Sequence, residues 1–213
     1  MGELSRVTGV TWYVDRAAGM TALVLLTASV CLGIALAGRA RSPRWPAFAI
    51  EEVHRYLGLL TGTFIGIHAL AILLDSYVPY SWAQLLVPGA APSRTLAVAA
   101  GVVSAELLAA LAVTNRFRKR LTFRFWRRAH YLNFAVWVLA LGHGIAAGSD
   151  SDQPWAAYVY AACGAAVAGL LAWRILAKRA LASWELTACL AVAAIATGEL
   201  VVALTFGPLG HHP

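Results

Sequence analysis

HRYLGLLTGTFIGIH, residues 54–68, and HYLNFAVWVLALGH, residues 130–143, are the two stretches on which the reading of this chain turns. Each is an almost wholly apolar run with a histidine at either end. A half-buried strand would alternate polar and apolar residues with period two, and neither stretch does. A helix, which satisfies its own backbone, is the element that can carry such a run through lipid. Working outward, the same texture recurs in six blocks: Ala17 to Gly38, Tyr56 to Leu74, Thr95 to Thr114, Ala129 to Ala147, Pro154 to Trp173 and Leu186 to Phe206. Each is close to the roughly 20 residues that a hydrocarbon core requires.

Composition agrees. The 213 residues are 60% hydrophobic and 13% charged, with a mean hydropathy of +0.68. A soluble domain carries about 25% charged residues, so this chain has too few to coat a water-facing surface. The expectation is an all-α membrane protein, a six-helix transmembrane bundle forming a single domain over 1–213. Disordered, collagen-like and disulfide-scaffold classes are excluded. Cys31, Cys163 and Cys189 all lie inside apolar blocks without a CxxC, and read as small buried apolar residues. The first apolar run is too long for a signal h-region and lacks a clear cleavage site, so it is expected to be retained.

The basic residues predict orientation. Of 17 Lys and Arg, fourteen fall after the first, third and fifth blocks or at the start of the next: Arg39, Arg41, Arg44 and Arg55; Arg116 to Arg128; Arg174, Lys178 and Arg179. Only Arg6, Arg16 and Arg94 fall on the other side. Positive charge stays cytoplasmic, which predicts a multi-pass protein of the plasma membrane with both termini extracytoplasmic. The net charge of +7 is then topological. A nucleic-acid partner is not expected, because the charges sit at helix ends rather than on a soluble face.

His211 and His212 lie at the extreme C-terminus; the other four histidines lie in or at the ends of two blocks. Ionisable groups in a membrane are costly and mark sites. His54 and His68 are 14 residues apart, His130 and His143 are 13 apart, which is about 20 Å along a helix. With both helices running outward, His54 and His130 share an inner depth, and His68 and His143 an outer one. Facing imidazoles at two levels suit axial ligation of haem iron. Zinc is the first rival, but its ligands must converge at one point and neither level offers Cys or carboxylate partners. Histidines hydrogen-bonded across helices for structure alone are the second. One difficulty is angular. Fourteen residues return within about 40° of the starting face, whereas thirteen leave about 140° of mismatch. Gly142 and Gly144 flank His143, and loosening of the helix there is the expected remedy.

Phe125-Trp126 ahead of His130, Gly142-His143-Gly144, and His54-Arg55-Tyr56-Leu57-Gly58 ending Ile67-His68 together resemble the ferric reductase-like transmembrane domain superfamily. That superfamily includes NADPH oxidases, ferric reductases and the haem subunit of the bacterial periplasmic methionine sulfoxide reductase. The resemblance covers about residues 15–175, with 186–206 an extra C-terminal helix. It implies two b-type haems, the inner on His54 and His130, the outer on His68 and His143, and transmembrane electron transfer outward. No GxGxxG occurs, so no FAD or NAD(P) domain is expected in this chain. The short form is similar to the methionine sulfoxide reductase subunit and implies an oxidoreductase component of bacterial type. Its donor would be a quinol or a separate flavin reductase, and its acceptor an extracytoplasmic flavoprotein that binds FMN. Three other readings stay open: direct reduction of ferric iron or oxygen at the outer haem, a cytochrome b subunit of a larger respiratory complex, and a haem-free channel, transporter or scaffold.

Several further residues carry expectations. Arg55, Arg127 and Arg128 flank the inner histidines and suit haem propionates or plain topological charge. Arg94, alone in the outer loops, suits an outer propionate or a flavin phosphate. Glu106, inside the third block, reads as a proton or quinone contact or as a carboxyl turned into the bundle. Glu199 reads as structural. Trp137 reads as core packing or as part of an electron path. The Gly58, Gly62, Gly66 series permits close approach of a helix or of a flat cofactor.

Overall fold

The computed structural model describes residues 2–38, 46–75, 79–176 and 183–206, and the described residues are helical with no strand. The elements are α1 (Gly2–Ala37), α2 (Ala47–Leu74), α3 (Trp82–Leu86), α4 (Thr95–Arg116), a 3-10 turn (Arg118–Arg120), α5 (Phe123–Tyr131), α6 (Asn133–Ala147), α7 (Pro154–Leu176) and α8 (Ser183–Phe206). Gly9–Ala37 of α1, with α2, α4 and α7, are long and apolar enough to cross a membrane. The chain is therefore a multi-pass membrane protein. Only 11% of the apolar window of α2 is buried inside the protein. A bare apolar face of that extent suits lipid rather than water.

The six expected blocks are modified in two places. The fourth is not one helix. It breaks at Leu132 into α5, of 9 residues, and α6, of 15. Thr122 caps α5 by accepting a hydrogen bond from the Phe125 amide at 3.3 Å. α5 carries Arg124, Arg127 and Arg128, so part of the expected basic loop is a short amphipathic helix. The sixth block is helical over Ser183–Phe206, but its apolar stretch among described side chains is the shorter Trp184–Ile195. Glu199 lies outside the described side chains.

The chain divides into two compact units. One comprises Met1–Leu23 and Leu60–Ser149, the other Val24–Leu59 and Asp150–Pro213. In the first, α4 packs on α6. Ser104 Oγ donates to the Val136 carbonyl at 2.9 Å in that interface, and Val136, Trp137 and Leu141 are fully buried beside it. Trp137 is thus a core residue. Glu106 lies on the exposed side of α4 rather than turned into the packed interior. The described stretch between α2 and α4 contains α3, which opens with a capping box in which Ser81 and Gln84 each bind the other's backbone amide.

In the second unit α7 packs on α8. Arg174, expected as a loop charge, is instead in the last turn of α7 and 3% exposed, 3.9 Å from the equally buried Glu185 of α8. It is an internal ion pair and drops out of the count that orients the chain. Arg39, Arg41, Arg44, Lys178 and Arg179 lie outside the described residues.

Candidate functional site: paired histidines

In the first unit, His68 of α2 and His143 of α6 lie against each other edge-on, with ring centroids 6.3 Å apart and planes at 76°. Both rings are anchored through Nδ1. His68 Nδ1 donates to the Asp15 carbonyl at 3.0 Å, and His143 Nδ1 donates to the Ala97 carbonyl at 2.8 Å. A carbonyl oxygen only accepts, so the proton sits on Nδ1 and Nε2 keeps its lone pair. Both imidazoles are therefore held in the tautomer that binds a metal through Nε2.

With about 2.0 Å from metal to nitrogen, a metal shared by two opposed imidazoles would separate their centroids by roughly 6 Å. The observed 6.3 Å is compatible with that spacing, as it is with a plain edge-on ring contact. Two imidazoles alone are too few for zinc, which takes four protein ligands in a structural site. Among the described residues no three His, Cys, Asp or Glu side chains converge on a metal position. The donor set matches a metal whose other ligands come from a macrocycle, as in haem.

A small local device builds each anchor. A Cβ at Gly101 would lie 2.6 Å from His143 Nδ1, and one at Gly19 would lie 3.0 Å from His68 Nδ1. Each glycine stands four residues after the accepting carbonyl: Ala97 then Gly101, Asp15 then Gly19. In an α-helix the carbonyl of residue i points at residue i+4. Without a side chain there, the carbonyl is open to a second donor, and the imidazole fills the space.

The second unit repeats the device. His54 Nδ1 donates to the Ser29 carbonyl at 2.9 Å, with Ser29 Oγ at 3.2 Å. A Cβ at Gly33, again four residues on, would lie 3.3 Å from the ring. These glycines and carbonyls were not singled out in the sequence. The detectable signal is that Asp15 to Ser29 spans 14 residues, as does His54 to His68.

His130, in the first unit, is held differently. Its ring stacks on Trp126 at 5.2 Å and 23°, and Trp126 is fixed by an Nε1 hydrogen bond to Asn115 Oδ1 at 2.8 Å. Asn133 Nδ2 approaches its Nδ1 at 3.4 Å and donates to its carbonyl at 2.7 Å. Trp126, noted in the sequence as part of the Phe-Trp pair ahead of His130, thus lies against a candidate ligand.

The expected loosening at Gly142–Gly144 does not occur, since α6 is α-helical through Ala147. The break lies at Leu132, between His130 and Asn133. Leu132 keeps helical dihedrals, φ −64° and ψ −12°, so the interruption is a slight one.

The arginines are engaged elsewhere. Arg55 pairs with Glu52 at 2.7 Å on an exposed surface. Arg127 lies over the Phe123 ring at 5.9 Å. Arg94, in a left-handed conformation with φ 45°, donates to the Ala147 carbonyl at 3.1 Å and so caps the last turn of α6. A Cβ at Gly58, Gly62 or Gly66 would meet nothing within 4 Å among the described residues. The glycine face of α2 is open there, not used for helix packing.

The fold defines a helical multi-pass membrane protein with a close pair of histidines inside it. The sequence matches the family described as "Ferric reductase like transmembrane component" over residues 18–141, more than half of its length, and the chain belongs to that family. No curated protein and no solved structure is significantly similar to it.

Proposed function

We propose that the chain carries electrons across the membrane through two b-type haems, His68 and His143 holding the outer and His54 and His130 the inner. The observation that carries this reading is the 6.3 Å approach of His68 and His143 with both Nδ1 atoms tied to backbone carbonyls. Haem iron with two axial imidazoles supplies a one-electron relay. The protein's own work is to fix the rings before the iron arrives, so that little rearrangement accompanies a change of charge. The open glycine face of α2 leaves room for a flat macrocycle. To pair with propionates, Arg55, Arg127 and Arg94 would have to exchange their present contacts with Glu52, Phe123 and the Ala147 carbonyl.

Six crossings with both termini extracytoplasmic remain the topology that the basic residues favour. The flow is then outward, from a quinol or a flavin reductase to an extracytoplasmic flavoprotein. The test is a redox-difference spectrum with haem quantitation on the purified protein and on His54→Ala and His68→Ala. Two haems per chain are expected, with each substitution removing one. Unchanged haem content in both variants overturns the ligand assignment.

A further inference from the structure

Asp15 offers His68 more than its carbonyl. Its side-chain Oδ1 lies 2.6 Å from His68 Nδ1, is buried, and makes no hydrogen bond of regular geometry. A carboxylate oxygen held in that state on an apolar helix is costly. The same device elsewhere lacks the charge. Ser29 brings a hydroxyl to His54 at 3.2 Å, and Ala97 brings to His143 only its carbonyl and a methyl side chain. A carboxylate against the far nitrogen of a metal-bound imidazole raises the basicity of that ligand.

We propose that Asp15 is a positioning residue that lowers the reduction potential of the outer haem through His68. This rests on the reading of His68 as a haem ligand. Ferric iron carries one more positive charge than ferrous iron. A neighbouring negative charge favours the ferric form, and an electron taken up by the iron is held less tightly. The outer site is thereby tuned to give its electron onward to an acceptor of low potential.

The experiment is a potentiometric titration of the full-length protein against Asp15→Asn, with haem quantitation and the ferric low-spin EPR signal recorded on both. Asn keeps the shape and removes the charge. Haem content is expected to stay the same. One titrating component is expected to shift toward the reduced form by at least tenfold, which is 59 mV for one electron, with the EPR signal of that component altered and the other component unmoved. Both components within threefold of wild type, in a fully loaded D15N, overturn the inference and leave the proposed function standing. If D15N releases a haem, Asp15→Glu decides: the charge role requires Glu to retain it, and loss from both variants overturns that role. Wild-type protein without haem overturns the proposed function itself.

Discussion

Gly101→Ala is the sharpest probe of the outer site, because it adds one methyl group to a wall that has no room for it. The new Cβ would stand 2.6 Å from His143 Nδ1 and 2.8 Å from its Cε1 and Cγ, well inside van der Waals contact. The ring cannot simply swing aside, since Nδ1 is tied to the Ala97 carbonyl at 2.8 Å and α4 and α6 are locked together by the Ser104 bond to Val136. Relief therefore costs overpacking strain of about 1–3 kcal/mol and the anchor hydrogen bond, about 1 kcal/mol. The sum of about 2–4 kcal/mol corresponds to roughly 30- to 800-fold weaker ligation, at about 1.4 kcal/mol per tenfold. The assay is the haem-to-protein ratio with a redox-difference spectrum. Gly9→Ala, whose Cβ meets nothing within 4 Å, is the control and is expected to match wild type. Gly33→Ala, with a closest approach of 3.3 Å to His54, is expected to fall between. Full haem and an unshifted spectrum in G101A would refute the claim that the glycine exists to seat the imidazole.

The other expectations concern the supports. Arg174→Met removes the guanidinium 3.9 Å from Glu185 in a site 2% exposed. A loss of about 3–5 kcal/mol is expected, read as a lower melting temperature, and Glu185→Leu on the same background should recover most of it. Ser29→Ala removes the hydroxyl but not the carbonyl that holds His54, so haem content is expected to survive with at most a small spectral shift. Asn115→Ala frees the Trp126 indole held at 2.8 Å. It should broaden the inner haem's spectral band without emptying the site, and loss of the outer haem instead would contradict the assignment of Trp126 to His130.

The parts legible in the sequence are those set by the bilayer. Blocks beginning Ala17, Tyr56, Thr95 and Pro154 all became long helices, because composition alone decides what lipid accepts. Their true ends were less visible. α2 starts at Ala47, nine residues before its apolar block, since a helix continues into water wherever propensity allows and hydropathy marks only the part in lipid. The break at Leu132 had no proline or glycine to announce it. Arg174 read as a loop charge, and its buried partner Glu185 lies 11 residues further on. Asp15 drew no reading, because what it touches is 53 residues away.

What the histidine spacing encodes becomes clear only when the anchors are read with it. Three of the four rings use one arrangement, a carbonyl at i and a glycine at i+4, and two of those arrangements lie 14 residues apart on α1, as their histidines do on α2. Two straight helices with matched periods can present equivalent sites at two depths, because 14 residues close to within about 40° of a whole number of turns. A partner with a period of 13 cannot do so while straight. The helix is interrupted at Leu132, and His130 has a stacked tryptophan in place of a helix carbonyl. If that account is right, insertion of one residue after Leu132 should be tolerated at the outer level, where His143 is seated by α4. The same insertion within 134–142 should turn His143 by about 100° relative to the α6 face packed on α4 and abolish its approach to His68.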